Sequence, residues 1–208
     1  MTTESYPERQ ARQLRSFMHW VKMEGGVEGP TLLKTLMQPH QMHRVSWLKS
    51  MAHGSILEVG CSWGFVTAWT GAQAGVDINP ANIELARLLA PETDFQVADA
   101  LQLPYEDQSF DTVMLPEVLE HLDFPQGVEL AIKEACRVAR DRILITMPDG
   151  RTDTPEACNF KHVWLCDQES LGRLCQMFPQ ESEVRHYYFW RFALLLVTLP
   201  QKEETIGN

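Results

Sequence analysis

An open α/β fold, a largely parallel sheet with helices on both faces, is what this sequence predicts. Three observations predict it. From Ser55 onward, short apolar runs of strand length alternate with stretches of helical character. The first three of those runs end in or beside a carboxylate (Glu58, Asp77 and Asp99), at the strand ends where open α/β sheets place their ligands. The tail from Glu183 to Leu199 is β-rich with a tight reversal near Trp190, so at least one strand must run antiparallel.

Before Ser55 the chain reads as helical. Arg9 to Glu24 carries Leu14, Phe17, Met18 and Val21 at helical spacing, ended by Gly25-Gly26. Pro30 opens a second short helix through Met37, and His40 to Met51 reads as a third. Residues 1–50 are therefore expected to form an N-terminal helical cap, and 51–208 the α/β unit. Ser55 to Val59 is the first strand and Gly64 to Ala72 a helix; Ala74 to Ile78 is the second strand. Asn79-Pro80 supplies an N-cap and a proline at the first helical position, starting a helix to Leu89. Phe95 to Ala98 and Phe110 to Leu115 are strands, followed by a helical region broken or restarted at Pro125 and running to about Arg140. Arg142 to Met147 is a fifth strand and Asp167 to Phe178 a helix.

Composition narrows the function. At 208 residues and 23.8 kDa, 44% hydrophobic and 22% charged, the chain is one ordinary globular domain's worth. Eighteen basic against 28 acidic residues gives a net charge of −10, which argues against a nucleic-acid partner. No apolar run has the length of a membrane span, and no apolar signal core stands at the N-terminus, so a cytoplasmic protein without a membrane partner is expected. The five cysteines include no C-x-x-C pair, and reduced thiols are expected. Nothing in the sequence fixes the oligomeric state.

The first strand runs into Gly60-Cys61-Ser62-Trp63-Gly64, a turn whose glycines let the backbone pass close to a ligand, although the same pattern fits a plain turn. Asp77, at the end of the second strand, suits both hydroxyls of a ribose; Asp99, after the third, suits an adenine amino group. The dinucleotide fingerprint G-x-G-x-x-G is absent, because position 62 is Ser and no third glycine follows. That absence, with Asp99 present, argues against a nicotinamide-dependent oxidoreductase.

ILEVGCSWG, GVDINPANIELAR, VADALQLPYEDQSFDTV and EVLEHL, in that order between roughly Ser55 and Phe178, resemble the successive motifs of class I S-adenosylmethionine-dependent methyltransferases. The resemblance implies a Rossmann-like, doubly wound, seven-stranded sheet of order 3-2-1-4-5-7-6 with strand seven antiparallel. It implies S-adenosylmethionine as cofactor and a small-molecule acceptor, with oxygen the expected target. By carry-over, Glu58 and the backbone of Gly60, Cys61 and Ser62 would hold the methionine end, and Asp77 the ribose. Ile78 would pack on the adenine, Asp99 and Ala100 would fix its edge, and Leu115 and Pro116 would line the sulfonium. Two departures stand out. Ser62 adds a Cβ where the family has glycine and calls for a particular backbone angle. Only thirteen positions separate Gly64 from Asp77, so the first helix or the second strand is shortened. These departures support an alternative reading, a cofactor-binding domain without catalysis.

On the acceptor side, Glu117, Glu120 and His121 follow the fourth strand at i, i+3 and i+4, one face of a helix if that segment is helical. Three roles stay open: His121 or Glu117 as catalytic base, a metal site, or plain structure. The resemblance to small-RNA 2′-O-methyltransferases and some ubiquinone-pathway O-methyltransferases implies a divalent ion, such as magnesium, on Glu117, Glu120, His121 and His162. Phe17, Met18, Trp20, Met42 and Trp47 are candidates for an acceptor roof or for ordinary core, and His40, His43 and Arg44 for contact with a carboxylate or the acceptor.

Overall fold

The computed structural model describes residues 38–151 and 163–201. Seven strands are present: β1 (Ile56–Val59), β2 (Ala74–Asp77), β3 (Asp94–Val97), β4 (Phe110–Pro116), β5 (Ala139–Pro148), β6 (Glu183–Phe189) and β7 (Phe192–Thr198). They form one sheet in the order β3-β2-β1-β4-β5-β7-β6. The first five pair in parallel; β7 runs antiparallel to both β5 and β6. The order and the antiparallel seventh strand are those the sequence predicts.

Among the described residues five α-helices cover the sheet: α1 (Pro39–Met51), α2 (Phe65–Thr70), α3 (Pro80–Leu89), α4 (Gln126–Val138) and α5 (Gln168–Cys175). Alternate strand residues face opposite helical layers. Ile56, Met114 and Leu144 pack with Val45 and Leu48 of α1, Phe65 and Val66 of α2 and Leu89 of α3. Leu57, Val113, Ile143 and Ile145 pack on the other side with Val128, Ala131 and Ile132 of α4 and Leu171 and Leu174 of α5. Burial on both faces is why these strands read as continuous apolar runs rather than alternating ones.

Local chemistry sets the helix ends. The Asn79 side chain accepts from the Ala81 amide at 3.0 Å with Pro80 next, as expected. Asp167 and Ser170 form a reciprocal capping box at the start of α5. The shortened interval before Asp77 falls on the helix: α2 has six residues. Met42 and Trp47 of α1 pack against the core rather than roofing a cavity. The predicted helices at 9–24 and 30–37, with Phe17, Met18 and Trp20, lie outside the described residues, as does His162.

Two expectations change. The fifth strand begins at Ala139, earlier than Arg142, because Phe110 pairs with Ala139 across a register irregularity. The segment after β4 is not a helix. The Glu117 amide donates to the Thr146 carbonyl at 2.8 Å, extending the sheet bonding past Pro116, and Glu117 turns the chain with φ 56°. Only a single 3-10 turn, Leu119–His121, follows. Among the described residues no helix is long and apolar enough to cross a membrane.

Candidate functional site

The carboxyl ends of β1, β2 and β3 place Glu58, Asp77 and Asp99 in sequence across the sheet. β1 leads into the Gly60–Gly64 loop, where the Cys61 amide donates to Val76 O at 2.9 Å and the Gly64 amide to Cys61 O at 2.8 Å. Gly60, Ser62 and Gly64 all have positive φ (72°, 48° and 76°). A Cβ on Gly60 would run into Val118, so glycine is required there for space as well as for backbone angle. Ser62 adopts the left-handed angle that its Cβ makes costly.

Asp77 fastens this loop. Its Oδ2 accepts from the Ser62 amide at 2.8 Å; its Oδ1 accepts from the Asn79 amide at 2.9 Å and from Asn82 Nδ2 at 3.1 Å. A carboxylate has roughly four acceptor sites, so with three filled one remains for a ligand hydroxyl. Beside it Ile78 is 69% exposed, a large apolar side chain facing solvent next to a strand-end carboxylate. Asp99 is exposed and accepts from the Leu101 amide at 2.9 Å, with Ala100 half-buried behind it. Leu115 and Pro116 are buried at the end of β4. An exposed apolar surface between two strand-end carboxylates, next to a tight glycine turn, fits an adenosine-bearing cofactor.

Deeper in, Glu58 is buried and accepts a hydrogen bond from the Thr67 hydroxyl of α2. Burial pushes its carboxyl up to about 8, partly offset by the Thr67 bond. Arg44, on α1, is buried and donates from Nε to Gln41 Oε1 and from Nη1 to Thr146 Oγ1, each at 3.1 Å. Thr146 in turn donates to Glu117 Oε1 at 3.1 Å. Glu117 is held above the ordinary carboxylate range by burial, opposed by Arg44, while a quarter of its side chain (25%) stays accessible. Glu120 is buried, and neither of its carboxyl oxygens has a hydrogen-bond partner. Burial, then the charge of Glu117, lifts it well above the usual range.

The structure brings Glu117 and Glu120 near each other but not onto one helical face with His121. Glu120 points inward and His121 is exposed, because the 3-10 turn replaces the helix that spacing assumed. Among the described residues no group of three His, Cys, Asp or Glu side chains is arranged to hold a metal ion. The cation beside Glu117 is Arg44, at 3.9 Å. Glu117, Glu120 and His121 by themselves form no such group, and His162, the fourth ligand of that reading, lies outside the described residues.

Sequence reasoning missed Thr146 and Thr67. Each had a signal. Thr146 interrupts the apolar run from Ile143 to Met147, and Thr67 lies on the helix turn directly after the glycine loop. The four described cysteines (Cys61, Cys136, Cys166 and Cys175) are free thiols.

The strand order and the glycine loop define a class of protein, the seven-stranded Rossmann-like methyltransferase fold. Residues 57–144 match the family described as "Methyltransferase domain". It is 30% identical over 140 residues to norajmaline N-methyltransferase of Rauvolfia serpentina, a match spanning 58% of this chain and 47% of that one. It is 32% identical over 110 residues to the ubiquinone biosynthesis O-methyltransferase of Xanthomonas euvesicatoria, spanning 49% and 46%. The chain thus spans about half the length of these curated relatives. An S-adenosylmethionine-dependent methyltransferase of Thermotoga maritima shares the fold with a TM-score of 0.64 at 18% identity, covering 92% of this chain and 99% of that one.

Proposed function

We propose that the protein is an S-adenosylmethionine-dependent methyltransferase that methylates a small-molecule acceptor on oxygen. The observation that carries this reading is the row of Glu58, Asp77 and Asp99 on adjacent strands, with Asp77 bonded to the glycine loop through Ser62. Asp77 orients the ribose, Ile78 and Ala100 flank the adenine, and Asp99 accepts from its amino group. The Gly60, Cys61 and Ser62 backbone and Glu58 position the methionine end, and Leu115 and Pro116 border the reacting carbon. When bound, the cofactor supplies a methyl group already made electrophilic by its sulfonium.

The chain's remaining tasks are alignment, exclusion of water and removal of a proton. Glu117, half-buried at the end of β4 and bonded to Thr146, is placed to take the acceptor's proton, and exposed His121 to pass it to solvent. The named relatives include both N- and O-methyltransferases. Oxygen is favoured here because a hydroxyl needs a base and Glu117 offers one. No step is assigned to a metal. Incubation with methyl-labelled S-adenosylmethionine and a panel of hydroxylated and aminated small molecules tests the reading: label should appear on a hydroxylated member. Transfer only to amines would overturn the oxygen assignment, and transfer to no member would count against catalysis.

A further inference from the structure

We propose that the outer edge of β6 is a self-association surface, on which a second copy of this chain lays its own β6 antiparallel about a two-fold axis at His186.

β6 ends the sheet, and among the described residues it is paired on one side only. Its outer edge therefore presents amide and carbonyl groups over seven residues, a template for another strand. Folded proteins blunt such edges by shortness, a bulge, proline, lysine or a covering group. The opposite edge, β3, is blunted: it has four residues, and Arg87 of α3 donates to the Phe95 carbonyl at 2.7 Å. β6 carries none of these devices. Its register with β7 runs unbroken from Glu183 opposite Thr198 to Phe189 opposite Phe192, and it holds neither proline nor lysine. On one face α1 anchors the hairpin. His43 stacks on Phe189 (5.0 Å between centroids), Trp47 meets Tyr187 edge-on (6.3 Å), and the Arg44 guanidinium lies 5.4 Å from the Phe192 centroid. Tyr187 nevertheless stays 43% exposed. An edge already ordered in this way loses little conformational entropy when it pairs.

The strand's own sequence selects the occupant. The chain carries a net charge of −10, so two copies repel over most of their surface. β6 is a neutral strip on that surface, because Glu183 and Arg185 pair at 2.7 Å. It is also self-complementary. With His186 on the axis, all seven residues of both strands overlap, and residues directly opposite share a face of the sheet. Arg185 then faces Tyr187 of the second copy, a guanidinium against an aromatic ring. Val184 faces Tyr188 of the second copy, a β-branched residue against an aromatic one. No acid faces an acid, and no arginine faces an arginine. Two-fold symmetry makes each contact twice. β6 is also remote from β1, β2 and β3, so pairing there leaves the strand ends that carry Glu58, Asp77 and Asp99 uncovered.

Sedimentation velocity over about 1–100 μM chain tests the proposal, since one strand pair makes a small interface of micromolar strength. Wild type should move with concentration from the 23.8 kDa of one chain toward twice that mass. Tyr187→Lys sets a lysine opposite Arg185 of the second copy. It should weaken the dimer at least about tenfold and leave the circular dichroism spectrum unchanged. Cross-linking reads the register, with wild type in the same mild oxidant as the control for native cysteines. His186→Cys should give a covalent dimer, because Cα atoms of facing residues lie about 4.5–5.5 Å apart, within disulfide reach. Glu183→Cys would stand about 20 Å along the strand from its counterpart and should cross-link no more than wild type. A wild-type chain that stays monomeric over the whole range overturns the proposal. So does a dimer that Tyr187→Lys does not weaken, or cross-linking of Glu183→Cys in preference to His186→Cys. Neither measurement involves cofactor or acceptor, so its outcome stands whether or not the transferase reading does.

Discussion

The hydroxyl of Thr146 joins Arg44 to Glu117: it accepts from Arg44 Nη1 and donates to Glu117 Oε1, both at 3.1 Å. A fully buried threonine on β5 therefore ties the first helix to the strand end where proton removal is placed.

Thr146→Val keeps shape and removes the bridge. Leaving buried polar groups unpaired costs about 1–3 kcal/mol, which a shift in the urea midpoint at constant slope would report. Thr146→Ser should recover most of it. An unshifted midpoint in the valine variant would show that the bridge contributes nothing.

Glu58 makes stability depend on pH. Its folded-state value of about 8 lies above the ordinary 4.5, so the native state holds an extra proton between those limits. Stability is complete below about pH 4.5 and declines as pH rises through the folded value, by about 1.4 kcal/mol per pH unit for this one group. Glu117 and Glu120 act in the same direction. Glu58→Gln should flatten the decline, as measured by denaturation at pH 5, 6, 7 and 8. Parallel profiles for wild type and variant would contradict the assignment.

Gly60→Ala should cost about 2–4 kcal/mol, from the left-handed backbone and the contact with Val118. The same change should weaken S-adenosylhomocysteine binding by distorting the loop. Thermal unfolding and calorimetry on the one variant check both effects.

The Glu117, Glu120 and His121 group should not bind a divalent ion. Titration with manganese, followed by water-proton relaxation, should give the same curve for wild type and Glu120→Gln. A site lost in the variant would restore the metal reading.

Much of this was legible in the sequence because position and chemistry coincide along the strands. Glu58, Asp77 and Asp99 each close an apolar run, and Asn79-Pro80 marks the start of α3 through its own capping chemistry. The segment from Glu117 to His121 was misread for a definable reason. Helical spacing was applied to residues whose backbone is fixed by the Glu117 amide bonding to Thr146, a contact 29 positions away in the chain that no local pattern encodes. The partners of Arg44 were hidden likewise, since Thr146 and Phe192 meet it only once β5 and β7 lie side by side. The early start of β5 depended on a register irregularity at Phe110, which is a property of the pairing.

The central claim is that the loop held by Asp77 is a cofactor site. Calorimetric titration with S-adenosylhomocysteine, on wild type and on Asp77→Ala, tests it most directly. The account predicts micromolar binding by wild type, and at least about a tenfold loss in the variant, which forfeits charged hydrogen bonds to the ribose and to Ser62. No binding by wild type, or equal affinity in the two proteins, would contradict it.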